Sequence, residues 1–126
     1  LQLNELLNKL EFIILDDDKG SNFLTEESIL DELPNASIRT FYKAIQCLEY
    51  LTLNNGTRIL LIDINMPSIT GWEFIKELQE RNLQERIIIL TASSNEDDKI
   101  RATKEGVHFM NKPINVEELK MIISRD

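Results

Sequence analysis

The feature that most constrains the fold is an uninterrupted apolar run, residues 59–62, that ends at a carboxylate, Asp63. A strand without polar alternation is typical of the centre of a parallel sheet, where helices cover both faces. Open α/β sheets bind ligands at their carboxyl edge, which is where Asp63 is expected to emerge. Two other expected strands lead into polar or charged residues. Residues 12–15 lead into Asp16, Asp17 and Asp18, and residues 107–110 lead into Asn111, Lys112 and Pro113.

The net charge limits the kinds of molecule that the chain can bind. Among 126 residues, 14 Lys and Arg stand against 22 Asp and Glu, which gives a net charge of −8. Such a chain repels phosphates, so we expect no direct nucleic-acid binding and no association with an anionic membrane. A cation held by carboxylates, or a basic partner, fits this charge better.

The length and composition indicate one soluble domain with a single core. No apolar stretch approaches the ~20 residues that span a bilayer, and no signal-peptide pattern is present. The single cysteine, Cys47, cannot form an internal disulfide. A lone thiol suits a reducing compartment, so we expect a cytoplasmic location.

Strand-like and helix-like segments alternate along the chain, which predicts repeated βαβ units. Strands are expected at residues 12–15, 37–42, 59–62, 86–90 and 107–110, and helices at 21–33, 44–51, 71–81, 95–106 and from 115. With right-handed crossovers and strand order 2-1-3-4-5, the pattern predicts a flavodoxin-like, doubly wound, five-stranded parallel sheet with helices on both faces. Ile38 and Phe41 are expected to point inward from the second strand, and Ile45 and Leu48 from the second helix.

Two segments leave alternatives open. Residues 95–106 offer little beyond Ile100 and Ala102 to a core, so they form either a mobile element or a solvated surface helix. Residues 1–10 carry leucines at helical spacing and form a leader or connector segment: a packing helix, a connection from an upstream domain, or a remnant of cloning. Residues 11–126 form the one predicted domain. The chain begins with Leu1 rather than Met, which is consistent with a piece of a longer protein.

The strand order would bring Asp16, Asp17 and Asp63 together at one edge of the sheet. Two unit charges ~4 Å apart repel by ~4 kcal/mol at an effective dielectric of about 20. Such a cluster persists only with an offsetting charge, either a divalent cation held by hard oxygen ligands or the ammonium group of Lys112. A carboxylate flanked by a lysine and a metal also suits phosphoryl transfer, with the carboxylate as nucleophile. Taken one at a time, the acids could form a loop or a helix cap, and Lys112 could be a surface lysine. All of these charges follow apolar strands, however, and this common position favours one shared site.

These residues resemble a known family. The chain is similar to a response regulator receiver domain, the phospho-accepting module of two-component signalling, over residues 11–126. The motifs that carry the resemblance are Ile-Leu-Asp-Asp-Asp at 14–18, Leu-Ile-Asp-Ile-Asn-Met-Pro at 61–67 followed by Gly71, Leu-Thr-Ala at 90–92 and Asn-Lys-Pro at 111–113. No single motif is specific, whereas the four in this order are highly specific.

The resemblance implies roles for the acidic residues. Asp63 would be the phosphoacceptor, with Asp16 and Asp17 as the acidic pair and Asp17 as the more direct magnesium ligand. The cofactor, Mg²⁺, would also contact Asp63 itself and the backbone carbonyl of Asn65. Asp18 adds a charge near the metal and has no role in this pattern.

The resemblance also implies how the phosphoryl group is held and sensed. Lys112 and the hydroxyl of Thr91 would bind phosphoryl oxygens. Thr91 would move toward the new charge and Phe109 would fill the space it leaves, which would switch the face built by the fourth helix, the fifth strand and the fifth helix. The switch aromatic is Phe rather than Tyr, so it offers no hydroxyl in either position. The residues that would shape the surrounding loops are Met66, Pro67, Gly71 and Pro113.

The implied phosphodonor is a histidine kinase or a histidine phosphotransfer protein, and the sequence does not identify the downstream target. A homodimer through the switching face is a further arrangement that the resemblance allows. On this interpretation the domain is not an enzyme in the usual sense. It is a phosphoacceptor that catalyses its own phosphoryl uptake and its own dephosphorylation.

Two other functions are weighed against this one. An aspartate-nucleophile phosphatase of the haloacid dehalogenase type needs Asp-x-Asp followed two residues later by a small β-branched residue, whereas Gly20 stands at that place after Asp18. A pseudo-receiver that never accepts phosphate would not need the acidic pair together with Thr91 and Lys112. The lone histidine, His108, is interpreted as structural or partly exposed rather than as a phosphodonor.

Overall fold

The computed structural model describes residues 2–93 and 95–125. The strands are β1 (Glu11–Leu15), β2 (Ser37–Phe41), β3 (Arg58–Ile62), β4 (Arg86–Thr91) and β5 (His108–Asn111). They form one parallel sheet in the order β2-β1-β3-β4-β5, so the predicted strand order is confirmed.

Helices precede, connect and cover the strands. They are α1 (Leu3–Lys9), α2 (Lys19–Glu32), α3 (Ala44–Leu53), α4 (Gly71–Glu80), α5 (Glu96–Glu105) and α6 (Val116–Arg125). Because α1 precedes the first strand, the fourth and fifth helices of the predicted pattern are α5 and α6. Within residues 2–93 and 95–125, none of these helices has the length and apolar content needed to cross a membrane.

Polar residues fix where several helices begin. The Thr70 hydroxyl accepts from the Glu73 N–H at 3.1 Å, and the Glu73 carboxylate accepts from the Thr70 N–H at 2.9 Å, so α4 starts with a capping box. Asn95 caps α5 by accepting from the Asp97 N–H at 2.9 Å. The Asn115 side chain accepts from the Glu118 N–H at 3.0 Å at the start of α6, so an asparagine caps each of these two helices.

The central strand β3 is buried along its whole length. Its side chains alternate between two apolar clusters. Leu60 and Ile62 pack with residues of α3, α4 and α5 on one face, and Ile59 and Leu61 pack with residues of α1, α2 and α6 on the other. The unbroken apolar run in the sequence therefore reflects coverage of both faces of the sheet.

Helix α1 belongs to the packed structure. Leu7 and Leu10 are buried in the same apolar cluster as Ile122 and Ile123 of α6. Of the three alternatives for residues 1–10, the structure has a packing helix over Leu3–Lys9. The division of the chain at residue 10 remains a prediction.

Helix α3 differs from the prediction in its buried face. Cys47, Leu48 and Leu51 form that face, and Ile45, which is expected to point inward, is exposed. The expectation for Ile45 is wrong because its position lies off the stripe that contacts the sheet. Burial raises the pKa of the Cys47 thiol to about 12, so the thiol stays neutral at physiological pH.

Helix α5 is thinly packed, as its composition predicts. Ala102 is its one buried residue in the part of the chain that the structure describes. Ile100, the other residue expected to reach the core, is exposed, so that expectation is wrong. Low apolar burial leaves α5 with little packing energy to hold it in one position.

A buried ion pair lies at the opposite end of β3 from Asp63. Arg58 Nη2 is 2.8 Å from Glu85 Oε2, and both side chains are buried. The guanidinium also donates to the carbonyls of Asn54 at 2.7 Å and Leu51 at 3.0 Å, which ties it to the end of α3. The sequence does not single out this pair, because its partners lie on different elements.

Removing one partner of this pair should destabilise the domain strongly. Glu85→Ala leaves the buried Arg58 guanidinium without its carboxylate, and comparable losses lower the free energy of unfolding by about 3–5 kcal/mol. Urea denaturation measures the change. Glu77→Ala is the control, because Glu77 pairs with Arg81 at 3.5 Å on the surface; it should lower the free energy by no more than about 1 kcal/mol. Equal losses for the two variants would contradict the importance of the buried pair.

Candidate functional site

The ends of β1 and β3 place carboxylates side by side. The two strands pair with Leu15 opposite Ile62, and the Asp63 N–H donates to the Leu15 carbonyl at 3.0 Å. The residues that follow each strand, Asp16 and Asp63, therefore leave the sheet at the same level. Carboxylate oxygens of Asp16, Asp17 and Asp63 lie within 4.8 Å of one another. The structure thus brings together the three acids that the strand order predicts.

The three carboxylates differ in their exposure to water. Asp16 is 3% exposed and Asp63 is 9% exposed, whereas Asp17 faces solvent. Repulsion between the two inner carboxylates is only weakly screened, because burial removes much of the water around them. The outer position of Asp17 leaves one side of the cluster open to solvent.

The ammonium group of Lys112 faces the two inner carboxylates. Its backbone N–H donates to the carbonyl of Thr91, which places Lys112 at the same edge of the sheet. Its Nζ donates to Asp16 Oδ2 and lies 3.4 Å from Asp63 Oδ2. One ammonium against three carboxylates leaves an excess of negative charge. A group of oxygen donors with such an excess fits a hard divalent cation.

The acid turn, residues 16–18, is held by hydrogen bonds. The Asp18 N–H donates to Asp16 Oδ1 at 3.0 Å, and the Asp18 carboxylate accepts from the Ser21 N–H at 3.1 Å. Asp18 therefore caps α2, a structural role that the sequence pattern does not assign to it. The side-chain amide of Asn22 donates to the Asp16 carbonyl at 2.8 Å. The sequence does not single out Asn22, because polar residues in the first turn of a helix ordinarily face solvent.

The chain after Asp63 folds back closely on itself. The Gly71 N–H donates to the Ile64 carbonyl at 2.9 Å. A Cβ atom added at Gly71 would lie 2.7 Å from the Asp63 carbonyl oxygen and 3.0 Å from Ile64 Cα, so a side chain would collide with this backbone. In the same loop Met66 is buried in the core and Pro67 is exposed.

Thr91 and Asn65 border the carboxylate cluster. Thr91 ends β4 and is buried, and its hydroxyl accepts from the Ser93 N–H at 3.3 Å. The Asn65 N–H lies 3.4 Å from Asp63 Oδ1, and the Asn65 side chain is exposed. The metal-binding role of its carbonyl stays a prediction.

Two further predicted residues lie on or after β5. Phe109 is half-buried and packs against the core cluster that contains Ala102. Pro113 is exposed and follows Lys112 through a cis peptide bond. The switching role of Phe109 and the loop-shaping role of Pro113 stay predictions.

Contacts of Trp72 attach α5 to α4. Trp72 is buried, and its Nε1–H donates to Asp98 Oδ1 at 2.9 Å. The Arg101 guanidinium carbon lies 4.7 Å from the centroid of the indole ring. Because α5 buries little apolar surface, these contacts supply a large part of its attachment.

Comparison with known proteins identifies relatives. A family model described as "Response regulator receiver domain" matches residues 12–124. The DNA-binding transcriptional regulator NtrC of Klebsiella pneumoniae is 28% identical over 113 residues, which are 89% of this chain and 24% of that protein. The transcriptional regulatory protein CiaR of Streptococcus pneumoniae is 28% identical over 116 residues, which are 90% of this chain and 50% of that protein. This chain thus spans no more than half the length of these two relatives.

A solved structure supports the same fold. A response regulator receiver protein from Dyadobacter fermentans superimposes with a TM-score of 0.83 and 22% sequence identity, covering 92% of this chain and 96% of that one. This likeness concerns the fold, and the family match rests on the sequence over residues 12–124. Together with the carboxylate cluster at the sheet edge, these matches show that the chain belongs to the response regulator receiver domain family of two-component signalling.

Proposed function

We propose that this receiver domain accepts a phosphoryl group on Asp63 and passes the signal on through the face formed by α5, β5 and α6. The observation that carries the proposal is the position of the Asp63 carboxylate at the sheet edge. One of its oxygens lies within 4.8 Å of oxygens of Asp16 and Asp17, and Oδ2 lies 3.4 Å from the ammonium nitrogen of Lys112.

Asp63 is the inner carboxylate better placed to attack phosphorus. The oxygens of Asp16 are engaged by Lys112 and by the Asp18 N–H. The contacts of Asp63 with Lys112 and with the Asn65 N–H are both 3.4 Å, longer than ordinary hydrogen bonds. An oxygen of Asp63 therefore keeps a lone pair available for attack.

Asp16, Asp17 and Asp63 would hold Mg²⁺ together with the backbone carbonyl of Asn65. When bound, the ion would neutralise the charge on the transferring phosphoryl oxygens. Mg²⁺ takes oxygen ligands and keeps several waters, which suits a cluster with one solvent-facing carboxylate.

The transfer would produce an acyl phosphate. The bond from Asp63 Oδ to phosphorus forms as the bond from phosphorus to the imidazole nitrogen of a phosphohistidine donor breaks. Lys112 would move from Asp16 to a phosphoryl oxygen, and the Thr91 hydroxyl would donate to another. Attack of water on phosphorus would later break the bond to Asp63 Oδ, release inorganic phosphate and restore the carboxylate. Each phosphoryl group would therefore mark one signal until it is hydrolysed.

The response to phosphorylation would run through Thr91 and Phe109. Thr91 is buried, and turning its hydroxyl toward a phosphoryl oxygen would leave space that the half-buried Phe109 could fill. Helix α5 is the element that this change would move, because it buries Ala102 and is otherwise held by the polar contacts of Trp72.

The donor in this proposal is a histidine kinase or a histidine phosphotransfer protein. NtrC and CiaR are transcriptional regulators by description. A transcriptional output of this protein would need another domain or a partner, because a net charge of −8 opposes DNA contact by this domain. A homodimer through the face of α5, β5 and α6, and a cytoplasmic location, belong to the same proposal.

The two alternative functions are not favoured. The family match supports a receiver domain rather than a phosphatase of the haloacid dehalogenase type. A pseudo-receiver that never accepts phosphate would have no use for three clustered carboxylates facing a lysine. Repulsion within such a cluster would destabilise the domain without a compensating function.

Phosphoryl uptake should depend on Asp63. The native chain incubated with Mg²⁺ and acetyl phosphate is expected to gain one phosphoryl group by intact mass, and Asp63→Asn is expected to gain none because its amide is not a nucleophile. Asp18→Asn is the control, because asparagine also caps helices and Asp18 is not assigned to the chemistry. It should still be phosphorylated. No gain in the native chain from either acetyl phosphate or a kinase donor would contradict the proposal.

The same sample tests the switch. Amide resonances of residues 91–93 and 95–110 should shift or broaden in the phosphorylated native chain, because Thr91 and α5 change position. Asp63→Asn treated identically should keep its original spectrum. A phosphorylated chain with no change in this segment would contradict the role of Thr91 and Phe109.

Lys112→Met should separate metal binding from phosphoryl transfer. Loss of the ammonium group removes a competitor for Asp16 and Asp63, so the affinity for Mg²⁺ should rise. Loss of a donor to the phosphoryl group should slow uptake from acetyl phosphate by about 10²–10³-fold. Calorimetric titration and initial rates measure the two effects. Lys120→Met, which removes a half-buried lysine 3.5 Å from Glu32 and 3.4 Å from Glu117, should change neither. Faster uptake in Lys112→Met would refute the assignment.

A further inference from the structure

Helix α2 packs with an unusual choice of residues. Its buried residues are Asn22, Thr25 and Ile29. Phe23 and Leu24, which lie between them in sequence, are 60% and 66% exposed. A helix on a sheet normally turns its apolar side chains inward. The first turns of α2 instead place polar side chains inside, which needs an explanation other than packing.

Asn22 makes two hydrogen bonds with the acid turn. Its side chain is 1% exposed, and Nδ2 donates to the Asp16 carbonyl at 2.8 Å. Its backbone N–H donates to the Asp18 carbonyl at 3.0 Å. This second bond is the ordinary backbone bond of a helix, so only the side-chain bond to Asp16 is particular to asparagine. The Asp18 N–H also donates to the Asp16 carboxylate at 3.0 Å. Together with the bond from Asn22 to the Asp16 carbonyl, this bond restricts the direction in which the Asp16 carboxylate points.

The side-chain oxygen of Asn22 differs from its Nδ2 group in hydrogen bonding. Its Oδ1 is buried and has no hydrogen-bond donor among the residues that the structure describes. A buried carbonyl oxygen without a donor destabilises the folded state. An apolar residue of similar size would avoid that loss. Stability alone therefore does not account for an asparagine at this position.

We infer that Asn22 is a positioning residue for metal binding: its amide fixes the Asp16 carbonyl and so orients the carboxylates of Asp16 and Asp17. The inference rests on the proposed function, in which both carboxylates hold Mg²⁺. Ligands must be held closely to their productive positions, and the residues that orient them usually affect affinity nearly as much as the ligands do. Asn22 reaches the site through Asp16 and is assigned no contact with the reacting atoms.

The test compares two buried polar residues of the same helix. Asn22→Leu removes the amide and keeps the same number and branching of side-chain heavy atoms, and Thr25→Val removes a buried hydroxyl one turn further along α2. Calorimetric titration of the full chain with Mg²⁺ should show about 10–100-fold weaker binding for Asn22→Leu. Thr25→Val should bind as the native chain does, because no hydrogen bond is seen between Thr25 and the acid turn.

A second measurement separates positioning from folding. In the absence of metal, the Asp17 and Asp18 amides of Asn22→Leu should exchange with deuterium faster than in the native chain, while amides of β3 should exchange at unchanged rates. If Asn22→Leu does not fold, Asn22→Ala takes its place in both measurements. Thermal unfolding in a metal chelator shows which variant is folded.

The outcomes are distinct. Native chain and Asn22→Leu binding Mg²⁺ equally well would overturn the inference and leave the proposed function in place. Equal weakening by Asn22→Leu and Thr25→Val would also overturn it, because a general loosening of α2 would then explain both. A native chain that binds no Mg²⁺ would overturn the proposed function and this inference with it.

Discussion

The repulsion between carboxylates at the carboxyl edge of the sheet is the constraint on which the site depends. Oxygens of Asp16, Asp17 and Asp63 lie within 4.8 Å of one another. At an effective dielectric of about 20, two charges at that separation repel by about 3 kcal/mol. Lys112 offsets part of this repulsion through contacts with Asp16 and Asp63. The remaining negative charge is what would draw a divalent cation and, with it, a phosphoryl group.

The rest of the domain keeps these charges close together. Pairing of β1 with β3 sets Asp16 beside Asp63, and the close approach at Gly71 directs the chain away from the site into α4. Within the acid turn the Asp18 N–H donates to Asp16, and Asn22 of α2 donates to the Asp16 carbonyl. At the other end of β3, the pair between Arg58 and Glu85 ties that strand to the segment before β4. The buried ion pair and the carboxylate cluster therefore lie at opposite ends of the same central strand.

Much of the fold and the cluster could be predicted from the sequence, because each rests on a local pattern. An apolar run followed directly by a charge specifies both a buried strand and the edge where its charge emerges, so Asp16, Asp63 and Lys112 could be placed together. The position of side chains around a helix is less well specified. Ile45 and Ile100 are apolar and still face solvent, and Asn22 is polar and buried. Contacts between distant elements, such as Trp72 with Asp98, leave no periodic signal in the sequence.

Locating the phosphoryl group in the phosphorylated chain shows whether Asp63 is the phosphoacceptor. An acyl phosphate formed with Mg²⁺ and acetyl phosphate can be trapped by borohydride reduction, which converts the modified aspartate to homoserine for peptide mass spectrometry. We expect homoserine at position 63 alone, where the carboxylate lies near Lys112 and the acidic pair. Homoserine at Asp16, Asp17 or Asp18, or at no position, would contradict this expectation.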